Sequence, residues 1–305
     1  MKLYAITIGV FDGVHKGHQY ILDNTLELAQ SLNLDPLVLM FRYPAEKILG
    51  TTFDGLILPS WRRKEICENL GFKVIVKDME EVWGISHDIY LNNLIDMGVR
   101  AIVCGEDFTF GKDALGDVNF LQSVGESKGL RVKILRDFKK DCTRISSSVI
   151  KKELKNGNIK VANEMLNRPW TLEGPVYEDK HVGFKLGFPT ANINVLYKEQ
   201  IIFPKYGVYL VRGKVQGRKG NLWGLMNVGI RPTIHEPNKE PKVEVYFLDF
   251  FGNLYNEYII LEVLDFLREE KKFEDKNQLV EAMARDEDKA REIIVKRYGN
   301  IKSIL

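Results

Sequence analysis

Cysteine is scarce in this chain, with Cys67, Cys104 and Cys142 the only three in 305 residues and no CxxC pair among them. So sparse and odd a set argues against a disulfide framework and a CxxC zinc site, and reads as reduced thiols in a cytoplasmic protein. Excess charge of either sign is also missing: 44 Lys and Arg face 42 Asp and Glu, a formal net charge of +2. That balance gives no electrostatic case for nucleic acid as a partner, so any phosphate affinity must be built locally. No apolar run approaches the roughly 18 residues of a membrane span. The opening MKLYAITIGVFDG has only a short apolar stretch before Asp12 and no signal-peptide cleavage region. Internal repeats and low-complexity tracts are absent too. What remains is 45% hydrophobic and 28% charged residues, ordinary for a globular protein. A chain of 305 residues is enough for about two domains.

Two kinds of pattern follow one another along the chain. In the first half, strand-like runs at Leu3–Val10, Pro36–Phe41, Lys73–Lys77, Arg100–Cys104 and Arg131–Leu135 alternate with amphipathic stretches. The amphipathic stretches lie near Gly17–Ser31, Trp61–Leu70, His87–Met97 and Asn119–Lys128. Alternating strands and helices predict a Rossmann-like α/β domain with a parallel sheet, and continuous apolar runs such as LVLMF predict that both sheet faces are covered. Between Ser146 and Asn167 the pattern is helical and is broken at Gly157, and Arg168-Pro169 ends it. The boundary is expected there, giving domains 1–167 and 168–305. Beyond it, Thr171–Tyr177, Gly207–Val215, Leu222–Val228, Val243–Phe250 and Tyr258–Phe266 are strand-like with no helix between them, as in a small antiparallel β-barrel. The tail returns to helix, with Leu279, Val280 and Met283 on one face and Ala290, Ile293 and Ile294 likewise.

Two of the chain's five histidines, His15 and His18, fall in one turn after the first strand. A helix start there offers backbone N–H groups and a positive dipole end. Two imidazoles three residues apart beside those amides suit a phosphoryl group in transfer, although the pair alone would equally be half a metal site or a surface turn. The run Gly9-Val10-Phe11-Asp12-Gly13-Val14-His15-Lys16-Gly17-His18 resembles the HxGH signature of nucleotidyltransferases. In its longer FDGVHxGH form it is similar to the prokaryotic bifunctional riboflavin kinase/FMN adenylyltransferase (FAD synthetase) family. That resemblance implies ATP contacts through Gly9, Phe11, Asp12 and Gly17, with His15 and His18 steadying adenylyl transfer to FMN. Gly105-Glu106-Asp107-Phe108-Thr109-Phe110-Gly111 is similar to the family's nucleotide loop and implies roles for Asp107 and Phe108. Arg144-Ile145-Ser146-Ser147-Ser148-Val149-Ile150-Lys151 resembles its R-x-S-S-T-x-I-R segment. Serines before a helix are ordinary N-caps, and the same geometry exposes Ser146, Ser147 and Ser148 to a phosphate, with Arg144 and Lys151 as cations.

A second site is implied farther on. Leu186-Gly187-Phe188-Pro189-Thr190-Ala191-Asn192-Ile193 looks like the PTAN signature of riboflavin kinase. Thr190 and Asn192 are two apart, so an extended chain puts both oxygens on one side, a donor type that Mg2+ accepts. By the resemblance they hold the metal of MgATP, with Gly183, Pro189 and Asn227 lining the substrates. Asn227 opens Asn227-Val228-Gly229-Ile230-Arg231-Pro232-Thr233, similar to the family's N-x-G-x-R-P-T. Glu244 alternates with Val243 and Val245 on its strand; it is either a solvated residue or, by the resemblance, the general base for the riboflavin 5′-hydroxyl. Leu267-Arg268-Glu269-Glu270-Lys271-Lys272-Phe273 is similar to a flavin-linked segment, with Arg268 toward the ligand.

Three segments depart from the family. Arg42-Tyr43-Pro44 stands where Pro-His-Pro is usual, Lys151 and Ser148 replace an Arg and a Thr, and Glu178-Asp179 enters a loop usually rich in Gly and Arg. The implied function is FAD synthesis from riboflavin and ATP through FMN, with small-molecule substrates and neither nucleic acid nor membrane as partner. Alternatives are a descendant with one active domain, and a flavin- or nucleotide-binding regulator.

Overall fold

The computed structural model describes residues 2–51, 53–140, 143–178, 188–195, 200–230, 241–273 and 275–299. The expectations at Cys142, Gly183 and Arg231-Pro232-Thr233 lie outside the described residues. The chain forms two compact units, Met1–Val149 and Ile150–Leu305.

Unit one alternates strands and helices: β1 (Tyr4–Gly9), α1 (Lys16–Leu32), β2 (Asp35–Phe41), α2 (Ala45–Ile48), α3 (Ser60–Asn69), β3 (Lys73–Lys77), α4 (His87–Asp96), β4 (Val99–Gly105), α5 (Val118–Ser127) and β5 (Arg131–Leu135). A two-stranded ribbon, β6 (Lys139–Lys140) and β7 (Thr143–Arg144), follows, and then α6 (Ser147–Asn156). The main sheet has the order β3-β2-β1-β4-β5, with every pair parallel. Its apolar runs serve two faces. Ile6, Ile8, Leu37, Leu39 and Ile102 pack with Leu91, Leu94 and Leu121 of α4 and α5. On the other face Val38 and Met40 meet Leu22 of α1 and Cys67 of α3, while Ala5 and Ala101 meet Ala29. Small residues at this last contact let α1 lie close to the sheet. The chain order reverses between β1 and β4, and ligands of open parallel sheets collect beyond the strand carboxyl ends at such a reversal.

Gly157, at φ +80°, separates α6 from α7 (Ile159–Leu166). Then come β8 (Trp170–Tyr177), β9 (Thr190–Ile193), β10 (Gly207–Val215), β11 (Leu222–Ile230), β12 (Pro241–Phe247), β13 (Tyr258–Glu269) and α8 (Lys276–Tyr298). The strands close into an antiparallel barrel in the order β10-β11-β12-β9-β8-β13. The sequence had shown five of these six; β9 is a four-residue strand behind Pro189, too short to display alternation. Inside-outside alternation is plain on β12, where Val243, Val245 and Phe247 are buried and Glu244 and Tyr246 lie on the opposite face. That outer face carries α8: Leu210, Trp223, Leu225 and Leu264 pack against Ala290 and Ile294. The buried line of α8 is Ala282, Asp286, Ala290 and Ile294, so the expected stripe of Leu279, Val280 and Met283 is only half-buried. No helix among the described residues is long and apolar enough to cross a membrane.

Candidate active sites

The first site begins where β1 ends. In the turn that follows, Phe11, Gly13 and Val14 all have left-handed backbones, at φ 53°, 80° and 40°. That conformation is costly for a β-branched residue such as Val14, so the surroundings must hold it. Phe11 and Val14 are buried in the apolar cluster beneath α1 and α3. The buried Asp12 carboxylate accepts the backbone N–H of Ile57 at 2.8 Å. Arg63 of α3, fully buried, donates to the carbonyls of Leu58 (3.1 Å), Phe41 (3.2 Å), Arg42 (2.6 Å) and Val10. Its guanidinium ties the carboxyl ends of β1 and β2 to α3. Burial pulls its pKa down to about 10, partly offset by the charge of Asp12, and it stays protonated at neutral pH.

His15 is the N-cap of α1; its Nδ1 accepts the backbone N–H of His18 at 3.3 Å. The imidazoles stack with centroids 3.7 Å apart and planes 18° apart. Gly17 makes room for them, since a Cβ there would lie 3.1 Å from His15 Cε1 and 3.2 Å from the Ile145 carbonyl oxygen. Both histidines, Gly17, Asp107, Arg144 and all three serines, Ser146, Ser147 and Ser148, line one cleft of about 300 Å³. Arg144 reaches Asp107 at 2.5 Å and Asp137 at 3.1 Å, and the Asp107 hydrogen bond raises its pKa further. Ser147 Oγ donates to the Asp12 carbonyl at 3.0 Å, which joins the start of α6 to the histidine turn.

Other predicted residues stand behind this cleft. Gly9, Phe11 and Asp12 build the turn without lining the cavity, and Lys151, half-buried in α6, is not among the lining residues. Phe108 stacks on Phe110, 5.6 Å away, against the sheet core. The sequence reading missed Tyr20, Asp137 and Phe138 on the cleft wall, where Tyr20 and Phe138 pack 5.6 Å apart. It also missed Arg63, because a cationic run such as Trp61-Arg62-Arg63-Lys64 reads as a solvated helix face. At the Arg42-Tyr43-Pro44 departure, Arg42 pairs with Asp78 at 2.7 Å and the Lys47 ammonium lies 3.0 Å from the Tyr43 ring centroid.

The second site lies on the barrel's outer face. Register sets Asn192 of β9 opposite Glu244 of β12, and Glu244 opposite Asn227 of β11. Thr190 is opposite Tyr246, whose ring meets Phe188 at 5.1 Å. Cross-strand partners share a face, so Thr190, Asn192, Glu244 and Asn227 form one polar patch, entered through Pro189. Asn192 is 6% exposed, yet its Oδ1 has no hydrogen-bond partner among the described residues. A buried acceptor without a partner calls for an explanation, and a bound water or ion is one. Beside a hydroxyl and a carboxylate, it fits a hard cation such as Mg2+. Among the described residues no group of three His, Cys, Asp or Glu stands close enough together to hold a metal ion. Lys242, unforeseen from the sequence, is ion-paired with Glu244. Arg268 donates its Nε–H to both carboxylate oxygens of Asp286 of α8 at 2.9 Å, and its guanidinium lies 5.7 Å from the Phe273 ring centroid.

Known proteins divide along the same line. Residues 2–149 match the family model described as FAD synthetase, and residues 166–294 match the one described as riboflavin kinase. The bifunctional riboflavin kinase/FMN adenylyltransferase of Bacillus subtilis is 30% identical over 304 residues, covering 98% of this chain and 93% of its own. The Escherichia coli K12 protein of the same description is 30% identical over 293 residues, covering 94% and 92%. A crystal structure from Streptococcus pneumoniae, described as a macrolide-efflux protein, matches with a TM-score of 0.85 and 26% identity over 95% of both chains, and it shares this fold. With a family model matching each part of the chain and relatives that match over nearly all of it, the chain belongs to the bifunctional riboflavin kinase/FMN adenylyltransferase family, whose two activities make FAD.

Proposed function

We propose that the two sites act in sequence, the barrel phosphorylating riboflavin and the α/β unit adenylylating the FMN formed. The boundary between the activities is taken after Asn167; the FAD synthetase match ends at residue 149 and the riboflavin kinase match begins at residue 166. Thr190 and Asn192 would hold Mg2+, which on binding screens the ATP phosphates and polarises the γ-phosphoryl group. Glu244 takes the proton from the riboflavin 5′-hydroxyl as that oxygen attacks the γ-phosphorus. The bond from the γ-phosphorus to the β,γ-bridging oxygen breaks, and ADP leaves. Asn227 and Pro189 shape the substrate side of the same patch.

In the cleft of unit one, a phosphate oxygen of FMN attacks the α-phosphorus of a second ATP. The bond to the α,β-bridging oxygen breaks, giving FAD and pyrophosphate. His15, His18 and the start of α1 stabilise the charge that grows on the phosphoryl oxygens, and Arg144 with Ser146, Ser147 and Ser148 binds the departing phosphates. Asp107 positions Arg144. Gly9, Phe11, Asp12 and Phe108 act behind the cleft by shaping it, and Lys151 adds positive charge nearby. Scarce cysteines, with Cys67 and Cys104 free and buried, support a reducing, cytoplasmic setting.

The observation that carries this reading is the row Asn192–Glu244–Asn227 with its orphaned acceptor. The experiment supplies riboflavin, ATP and Mg2+ to purified protein and separates the flavins over time. FMN followed by FAD is expected. FMN alone would leave only the kinase, and unchanged riboflavin would favour a binding protein without turnover.

A further inference from the structure

Among the described residues, Lys242 is ion-paired with the candidate base, and nothing in the motifs predicted it. It is two residues before Glu244 on β12, so strand alternation puts both side chains on the outer face. The pair is close, yet Lys242 keeps only 17% of its side-chain surface exposed, against 31% for Glu244. Desolvating two charges offsets much of the attraction between them, so stability alone is a weak reason to keep a lysine there. The neighbouring row holds a second carboxylate. Gly229 is the cross-strand partner of Lys242, and a Cβ at Gly229 would lie 2.2 Å from Glu270 Oε1. Lys242 therefore sits at an acidic edge, one row along from Asn192 and Glu244.

We propose that Lys242 both positions the base and binds phosphate in the kinase site: its ammonium holds Glu244 in place before substrate binds and then swings, still on its own side chain, to pair with the γ-phosphate of MgATP. This rests on the reading of Glu244 as the base. A carboxylate bonded to an ammonium is a poor proton acceptor, because its charge is already satisfied. The terminal phosphate of ATP carries more negative charge than one carboxylate and competes for the same cation. When Lys242 changes partner, Glu244 is left beside the arriving hydroxyl with its lone pairs free. The ammonium then faces the oxygens that gain charge as the γ-phosphoryl group transfers. The couple keeps the base from ionic contacts elsewhere and makes its release depend on the correct nucleotide.

The test uses the full chain and variants Lys242→Met, Lys242→Gln and Lys242→Arg, with Glu244→Gln as the control for the base. FMN formation gives kcat and KM for each substrate. The nucleotide effect is read separately from turnover, by the change in riboflavin fluorescence when magnesium AMP-PNP or magnesium ADP is added to the riboflavin-bound chain. Lys242→Met and Lys242→Gln should lower kcat/KM for MgATP at least tenfold, leave KM for riboflavin within twofold, and weaken AMP-PNP binding tenfold while ADP binding holds. Lys242→Arg should recover most of each loss. If both neutral variants keep AMP-PNP binding and kcat/KM within twofold of the parent, the proposal is overturned and the pair is only structural. A rise in kcat would also overturn it, since Lys242 would then merely restrain the base. Full FMN formation by Glu244→Gln would instead refute the base assignment itself.

Discussion

A single methyl group at residue 17 probes the first site with little else disturbed. Gly17 is in the first turn of α1 and its φ is not in the left-handed region, so alanine is conformationally allowed there. The added Cβ would stand 3.1 Å from His15 Cε1, 3.2 Å from His15 Nδ1 and 3.2 Å from the Ile145 carbonyl, so one of these neighbours must give by a few tenths of an ångström. Overpacking of this kind costs about 1–3 kcal/mol. Alanine returns up to about 1 kcal/mol of helix propensity. The net loss is then about 0–3 kcal/mol, at most about ten degrees in the melting temperature of this unit. Misplacing a reacting group by 1 Å costs about 100-fold, and a fraction of that shift at His15 should slow FAD formation about tenfold. The assay supplies FMN, ATP and Mg2+ to Gly17→Ala and follows FAD; a parallel run with riboflavin follows FMN. FMN formation should not change. Wild-type FAD formation would refute the claim that His15 placement limits adenylyl transfer.

Other consequences follow from the same geometry. Arg63→Met leaves several strand-end carbonyls without their buried donor and should destabilise unit one by about 3 kcal/mol, seen as a lower urea midpoint for loss of FAD formation. Asp286→Ala strands the Arg268 guanidinium and should cost about 3 kcal/mol in the barrel unit; heating should abolish FMN formation at lower temperature while FAD formation from FMN persists. Burial, with Asp107 nearby, pushes the Cys104 thiol up to about 12. Because the folded value exceeds that of an unfolded thiol, about 8.5, this contribution to stability is complete below pH 8.5 and is lost as pH rises toward 12. At pH 8 Cys104 should therefore resist alkylation in the native protein and react after unfolding in urea, as peptide mass spectrometry would read.

Long apolar runs made the α/β unit legible, because strands covered on both faces repeat the same chemistry at every position. The turn at His15 was legible for a different reason: its glycines, its N-cap and its two imidazoles are consecutive in sequence. The barrel's sixth strand was hidden, since four residues behind a proline leave no period to detect. Contacts between distant residues were hidden as well. Asp137 and Phe138 belong to no motif and reach the cleft only through the fold. The partner of Arg268, Asp286, is 18 positions away on a helix whose expected faces were drawn from apolar residues alone, so a buried aspartate on it was not foreseen. Lys242 stood next to a recognised segment, but its closeness to Glu244 depends on which strand face each occupies.

The most direct test of two separate phosphate-handling sites is a reciprocal feeding experiment on Glu244→Gln and His15→Ala. Each variant is given either riboflavin or FMN with ATP and Mg2+, and the flavins are resolved by chromatography. Glu244→Gln should convert FMN to FAD at the parent rate and leave riboflavin untouched. His15→Ala should turn riboflavin into FMN and stop there. If either substitution removed both conversions from an intact fold, or if both variants still made FAD from riboflavin at the parent rate, the account would be contradicted.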